Sequence, residues 1–503
     1  MFLARCLAWS SSGGSAAERL FLHCFILPFF LCPRQAHLGL GLPSSMIRTA
    51  PRRLLARSPL WLPARCLSSD GRSHWHASLF LEPRIRQELG KQPQKSKRHP
   101  LLNILVDSLR ISSYPFQNSA AVARVVTRLV YSPLPPGTSK TVSPIPCDST
   151  IFESSPTPEC NLSRFAKAYP AQDIPGHWID ATNSDPSKII LYMHGGAYFL
   201  LSPRSHQILT GLFARFTGSR VLSIDYSLAP ERPFPCALRD AISAYRFLID
   251  PPPGATHPRY DPKNIVFAGD SAGGGLAIAA ALWLRDDGRW PLPGGLAVMS
   301  PWLDLTHSMP SFDDHVLLDI LPKLNQNPEK RHFYTTNDLL DHPYVSPLFA
   351  TKIPTKPLPP TLITVGSAER LRDEGIMFWS KFKGRCLPDD RLDAPHQVVI
   401  DPENMSDSGS ESDTEDVRIE VYQDMPHVFQ MFPFERLARM SVRRISDFIT
   451  AVQRTDTGSS KVDTSSPGAP GSKASSPDGS CARVGGSGRN RITFIRHNGD
   501  VVV

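Results

Sequence analysis

Apolar residues in this chain gather into short blocks of strand length. They occupy 187–193 (SKIILYM), 219–225, 264–269, 294–299, 361–366 and 417–422, and turn-forming residues stand at most of their ends. Blocks of this length with such borders read as strands. Between them run segments of helical length, among them the Ala-rich stretch that starts at Ala272. Strand-like and helix-like segments in alternation predict an α/β fold, a mostly parallel central sheet covered by helices on both faces. No internal repeat interrupts the alternation.

The flanks carry a different pattern. Residues 1–69 contain a single acidic residue, Glu18. The apolar run Leu20 to Cys32 is too short to cross a bilayer comfortably, and Pro28 interrupts it. From Met46 onward the chain is Arg-rich, Ser-containing and acid-free, the composition of a mitochondrial presequence, with Met46 as an internal start. Two intracellular addresses stay open, the mitochondrion and a membrane-associated form held by the first apolar run. Leu101 to Ile111 has an amphipathic pattern. Pro388 to Asp416 is polar and includes the acidic, serine-rich tract Asp401 to Asp416. Low hydrophobicity and dense charge predict a disordered insertion there. The Ser/Gly/Pro-rich stretch after Arg454 reads the same way. The expected division is therefore a targeting or membrane-associating region at 1–75, a cap-like helical segment at 76–160, an α/β domain at 161–453 with its insertion at about 388–416, and a disordered tail at 454–503.

Composition narrows the function. With 41% hydrophobic residues, 503 residues suffice for one large core with extra segments. The net charge is +8, but the basic excess lies largely near the N-terminus and no basic patch is interleaved with aromatics. Nucleic acid is excluded as a partner. The nine cysteines are scattered without C-x-x-C or zinc spacing, as in a reducing compartment.

The chemistry lies where strand blocks end. The block 264–269 runs into Gly269-Asp270-Ser271-Ala272-Gly273, a G-x-S-x-G sequence between a strand and a helix. That context makes a nucleophile elbow, which pushes the serine out on a sharp turn. The block 187–193 runs into His194-Gly195-Gly196-Ala197-Tyr198. A glycine-rich loop after an early strand supplies N–H groups for an oxyanion, together with the residue after the nucleophile. Gly195, Gly196 and Ala272 are the expected donors, with His194 and Asp270 as flanking motif residues. A serine needs a base, and the base needs a carboxylate. After the block 361–366 come three carboxylates, Glu369, Asp373 and Glu374, and after 417–422 comes His427. The order Ser, acid, His fits an α/β-hydrolase. His206, His307, His315 and His342 read as structural. This chemistry calls for no cofactor and no metal.

Seven segments in order, HGGAY at 194–198, DYSLAPERPFP at 225–235, GDSAGGGLA at 269–277, SPWLDL at 300–305, VSPL at 345–348, ERLRDE at 369–374 and MPHVF at 425–429, resemble the hormone-sensitive-lipase-like branch of the α/β-hydrolases. That branch includes arylacetamide deacetylases and bacterial carboxylesterases. The resemblance covers roughly 160–450. It implies Ser271 as nucleophile, His427 as general base and Glu369 as acid, where the family usually has aspartate; Asp373 is the alternative. It also implies a cap over the site from the N-terminal segment. Two positions depart from the family, Ala197 for a third glycine and Ser227 for an arginine. Asp225, Glu231, Asp240 and Asp304 read as structural carboxylates. The expected activity is hydrolysis of small-molecule carboxylic esters, with amide or acetyl-group hydrolysis as the near alternative and a non-catalytic small-molecule receptor as the distant one. Oligomeric state is not legible in the sequence.

Overall fold

The computed structural model describes residues 87, 89–113, 119–322, 332–351, 356–382, 416–453 and 492–502, together with a short antiparallel strand pair at 66–67 and 73–74. The apolar run 20–32, the presequence-like stretch 46–65, the insertion up to residue 415 and the tail up to residue 491 lie outside the described residues. Among the described residues no helix is long and apolar enough to cross a membrane.

Ten strands form the central sheet: β1 (Thr138–Ile145), β2 (Ile174–Ala181), β3 (Asp185–Met193), β4 (Ser219–Ile224), β5 (Ile265–Asp270), β6 (Gly295–Met299), β7 (Thr361–Gly366), β8 (Val417–Tyr422), β9 (Ile492–Ile495) and β10 (Val501–Val502). Their order across the sheet is β10-β9-β8-β7-β6-β5-β3-β4-β2-β1. From β4 through β9 every neighbour pair is parallel; β1, β2 and β10 join antiparallel. The long helices are α1 (Pro100–Ser113), α2 (Ala120–Arg128), α3 (Gln207–Thr217), α4 (Cys236–Ile249), α5 (Ala272–Asp287), α6 (Arg372–Phe382) and α7 (Arg436–Val452).

The period of two along each strand decides which helices it meets. Ile189, Leu191, Ile265, Phe267, Ile363 and Val365 point into a core shared with α4, α5 and α6. The alternate residues Ile190, Tyr192, Val266, Ala268 and Leu362 point into a second core shared with α3 and α7. Both faces are buried, which is why these strands read as continuous apolar blocks. A third cluster packs Leu101, Leu102, Leu105 and Val106 of α1 against Tyr422, Met425, Phe429 and Phe432. The N-terminal segment thus rests on the loop that follows β8.

The structure corrects the expected boundaries at both ends. β1 lies inside the segment expected to be a helical cap. It is an edge strand with only Ile145 buried, so its sequence, TSKTVSPI, shows no apolar block. β2 is buried but reads IPGHWIDA, with Pro, Gly, His and Asp in place of an unbroken run. Residues 492–502, expected in the disordered tail, extend the sheet instead. Ile419 to Tyr422 pair in register with Ile492 to Ile495, and β10 folds back on β9. A four-residue block after a long polar stretch is too short to stand out by pattern alone.

Candidate active site

The loops at the carboxyl ends of β3, β5, β6, β7 and β8 gather the functional side chains, where open α/β sheets collect their ligands. Ser271 follows β5 and precedes α5 with φ 53° and ψ −124°. A non-glycine residue held at such a φ costs roughly 1–3 kcal/mol, which the surroundings must offset. Here the Ser271 N–H donates to Met299 O at 2.9 Å, and Trp302 N–H donates to Ser271 O at 2.9 Å. Gly273 lets α5 press against the neighbouring strand: a Cβ there would meet Met193 O at 2.1 Å.

His427 comes from the loop after β8. Its Nε2 lies 2.9 Å from Ser271 Oγ. The residue is buried, and burial lowers its basicity against the opposing charges of Asp319 and Asp270. Positive φ at Asp424 and Val428 bends the loop on either side. Val428 N–H donates to Ser300 Oγ at 3.0 Å, and Ser300 Oγ donates to Glu369 Oε2 at 2.6 Å. Gly366 N–H adds a second bond to that oxygen at 3.0 Å. Glu369 is fully buried. Burial first, then the charge of Asp319, pushes its carboxyl well above the ordinary range, while Ser300, Gly366 and Arg372 pull it back. Glu369 Oε1 and His427 Nδ1 are both buried without a hydrogen-bond partner. Ser300 therefore ties Glu369 to the backbone next to His427, and the two side chains each keep one open position.

Asp373 is directed elsewhere. It accepts from Ser311 N–H at 3.0 Å and pairs with Arg372 at 2.7 Å in the first turn of α6. Glu374 accepts from Leu303 N–H at 2.6 Å. Neither touches the His427 loop through these bonds.

The oxyanion loop requires a correction. Gly195 N–H donates to Asp270 Oδ1 at 3.1 Å, so it is not available to a substrate oxygen. Asp270 also accepts from Tyr192 OH at 2.6 Å and pairs with His206 Nε2 at 3.3 Å. Burial raises the Asp270 carboxyl, but the charge and hydrogen bond of His206 outweigh it and hold it below the ordinary range. The next residues turn sharply, with φ of 121° at Gly196, 53° at Ala197 and 63° at Tyr198. Phe199 N–H and Leu200 N–H both close onto Gly196 O. The N–H groups of Gly196 and Ala197 make no hydrogen bond among the described residues, and Ala272 N–H stands at the first turn of α5. Sequence reasoning did not single out the Ala197 N–H because the motif marks the loop and not which of its N–H groups Asp270 takes.

His194 belongs to the support of this loop. It stacks on Tyr226 with ring centroids 4.4 Å apart, its Nδ1 lies 2.7 Å from Gly195 O, and burial drives its pKa down to about 3. The expected structural carboxylates are engaged in their own loops. Asp240 accepts from Ser227 N–H at 2.7 Å, Asp304 accepts from Thr306 and Ser308, and Glu231 pairs with Arg124 of α2 at 2.6 Å. Asp225 is half-buried, with Oδ1 unpartnered. At Ser227, the family departure, Arg232 Nε reaches the Ser227 hydroxyl at 2.9 Å. Arg124 also donates to Phe199 O at 3.1 Å and to Ala229 O, so the N-terminal segment grips the stretch after HGGA as well. Ser300 opens the SPWLDL segment, though the segment does not reveal its bond to Glu369, and no sequence motif marked Asp319, Arg98 or Arg124 as neighbours of the site, since their contacts cross many residues.

Comparison with known proteins agrees with this architecture. The model of a family described as "alpha/beta hydrolase fold", Abhydrolase_3, matches residues 190–386. An acetyl-hydrolase of Streptomyces hygroscopicus is 38% identical over 199 residues, 39% of this chain and 62% of that protein. An esterase of Acinetobacter venetianus is 34% identical over 232 residues, 46% of this chain and 71% of that protein. The crystal structure of an esterase from the bacterial hormone-sensitive lipase family superposes with a TM-score of 0.53 at 26% identity, covering 71% of this chain and 99% of that one.

Proposed function

The chain belongs to the hormone-sensitive-lipase-like α/β-hydrolases, and from that premise we propose that it is a serine hydrolase of carboxylic esters with Ser271, His427 and Glu369 as its triad. The observation that carries this is the 2.9 Å contact between His427 Nε2 and Ser271 Oγ on a strained elbow. His427 takes the hydroxyl proton as Ser271 Oγ attacks the ester carbonyl. Charge then grows on the carbonyl oxygen, and the N–H groups of Gly196, Ala197 and Ala272 receive it. The start of α5 adds the favourable end of its dipole. One such donor is worth roughly 2.7–4 kcal/mol in comparable sites. The imidazolium passes its proton to the departing alcohol. Water, activated by the same histidine, releases the acid. Glu369 orients the imidazole and opposes its charge; the unpartnered Glu369 Oε1 and His427 Nδ1 support that pairing.

The similarity to an acetyl-hydrolase favours a second reading within the same chemistry, removal of acetyl groups from oxygen or nitrogen. Hydrolysis of p-nitrophenyl acetate, butyrate and longer esters, beside an acetanilide, separates the two. Turnover that Ser271→Ala abolishes supports the triad, and the best acyl chain identifies the pocket. A folded wild type inactive on every ester and amide overturns the hydrolase reading in favour of a receptor.

A further inference from the structure

Asp319 lies in the stretch between β6 and β7, outside every motif of the triad, and is fully buried. Its Oδ1 accepts the His427 N–H at 2.7 Å. Its Oδ2 accepts the Arg370 N–H at 2.8 Å, next to Glu369 in the chain. One carboxylate thus joins the loop of the base to the loop of the acid. Behind it stands Arg98, buried to 3% exposure. Arg98 donates to Leu318 O at 2.9 Å and to Asp424 O, three residues before His427. We propose that Asp319, backed by Arg98, is a positioning residue for His427, through which the N-terminal segment sets the reactivity of the base.

Geometry and charge point the same way. Two N–H donors on separate strand-end loops need two acceptors at a fixed spacing, which a carboxylate has and an amide does not. Charged and titratable groups face this region from several elements. Asp270 stands at the end of β5 and Glu369 after β7. Arg372 at the start of α6 is paired with Asp373, and Asp424 in the His427 loop is paired with His497 at 3.0 Å. Arg98 and Arg110 are the cations contributed by the N-terminal segment; Arg110 donates to Asp319 O at 3.4 Å, and Asp319 is the carboxylate that opposes Arg98 most strongly, while His315, 2.9 Å from Glu369 O, faces Asp319 as well. Burial lowers the His427 pKa, and Asp319 is the largest influence raising it. An anion held at the base favours the imidazolium that forms in the transition state.

The inference rests on the hydrolase reading. The test is Asp319→Asn and Arg98→Met, each followed by ester turnover and by the pH dependence of Ser271 phosphonylation with a fluorophosphonate. Asp319→Asn removes the charge and one acceptor. A loss of about 10- to 100-fold in kcat with KM nearly unchanged is expected for a base slightly displaced. The acid limb of both profiles moves to lower pH, because His427 stays deprotonated further down. Arg98→Met removes the opposing cation and moves the limb to higher pH, again with lower kcat. Opposite shifts support the assignment, and Arg98→Met alone decides it if Asp319→Asn fails to fold. An acid limb that stays at the wild-type pH, whatever happens to kcat, overturns it as a purely structural contact. A wild type that is labelled at Ser271 yet turns over no ester defeats the ester assignment and leaves the limb readable. A wild type that is not labelled defeats both.

Discussion

The two halves of the site are built in different ways. The Ser271 half is local. Strand, turn and helix are consecutive, and the strained serine is held by neighbours at the ends of adjoining strands. The His427 half is assembled from distant chain. Ser300, Asp319, Arg98 and the strand β9 all reach the loop after β8 from elsewhere, and Glu369 joins it through Ser300. The first half has its geometry in a few residues, so it tolerates little change. The second distributes its geometry, so single changes at its supports, Glu369 apart, are expected to weaken catalysis by degrees.

The sharpest way to break the comparison is at the elbow. Gly273→Val drives a side chain into the Met193 carbonyl, and the expected cost is about 3 kcal/mol or more. Soluble yield and thermal midpoint check it, and a folded, active variant contradicts the close packing. Next is the acid. Glu369→Gln is expected to lower kcat on the order of 10³-fold, whereas Asp373→Asn changes kcat by no more than about twofold, because Asp373 is engaged by Ser311 and Arg372. The reverse ranking would move the acid role to Asp373. Ser300→Ala is milder. It removes the hydroxyl between Glu369 and Val428 N–H and is expected to cost about 1–3 kcal/mol in stability and about tenfold in kcat. Denaturant unfolding beside steady-state kinetics measures both. The smallest effect is a position on the pH axis. A buried His427 binds its proton less readily than free histidine, so the unprotonated base persists as pH falls. The acid limb of kcat/KM is therefore expected below the ordinary histidine value of 6.5. A limb above that value contradicts the burial of the base.

Legibility followed the same division. All six apolar blocks are strands, and the elbow, HGGA loop and His427 loop could be placed from sequence, because each is a contiguous pattern with its own turn chemistry. What could not be read depends on which partner claims a group. Nothing in HGGAY says that Asp270 takes the Gly195 N–H and leaves Ala197 open. Nothing near Asp319 marks it, since beyond the adjacent Ile320 N–H its donors lie 51 and 108 positions away. The antiparallel strand β1 escaped because its side chains are mostly solvated, and β9 because it is short.

That short strand has a consequence for association. Without it, β8 would offer a row of unpaired backbone groups along the side of the sheet, an open template for another chain. β9 fills that row, and among the described residues only the two-residue β10 stands beyond it, running the other way. A second molecule that tried to continue the sheet there would find almost no ladder to grip. The same eleven residues that lean on the His427 loop also shield this side of the molecule from edge-to-edge polymerisation.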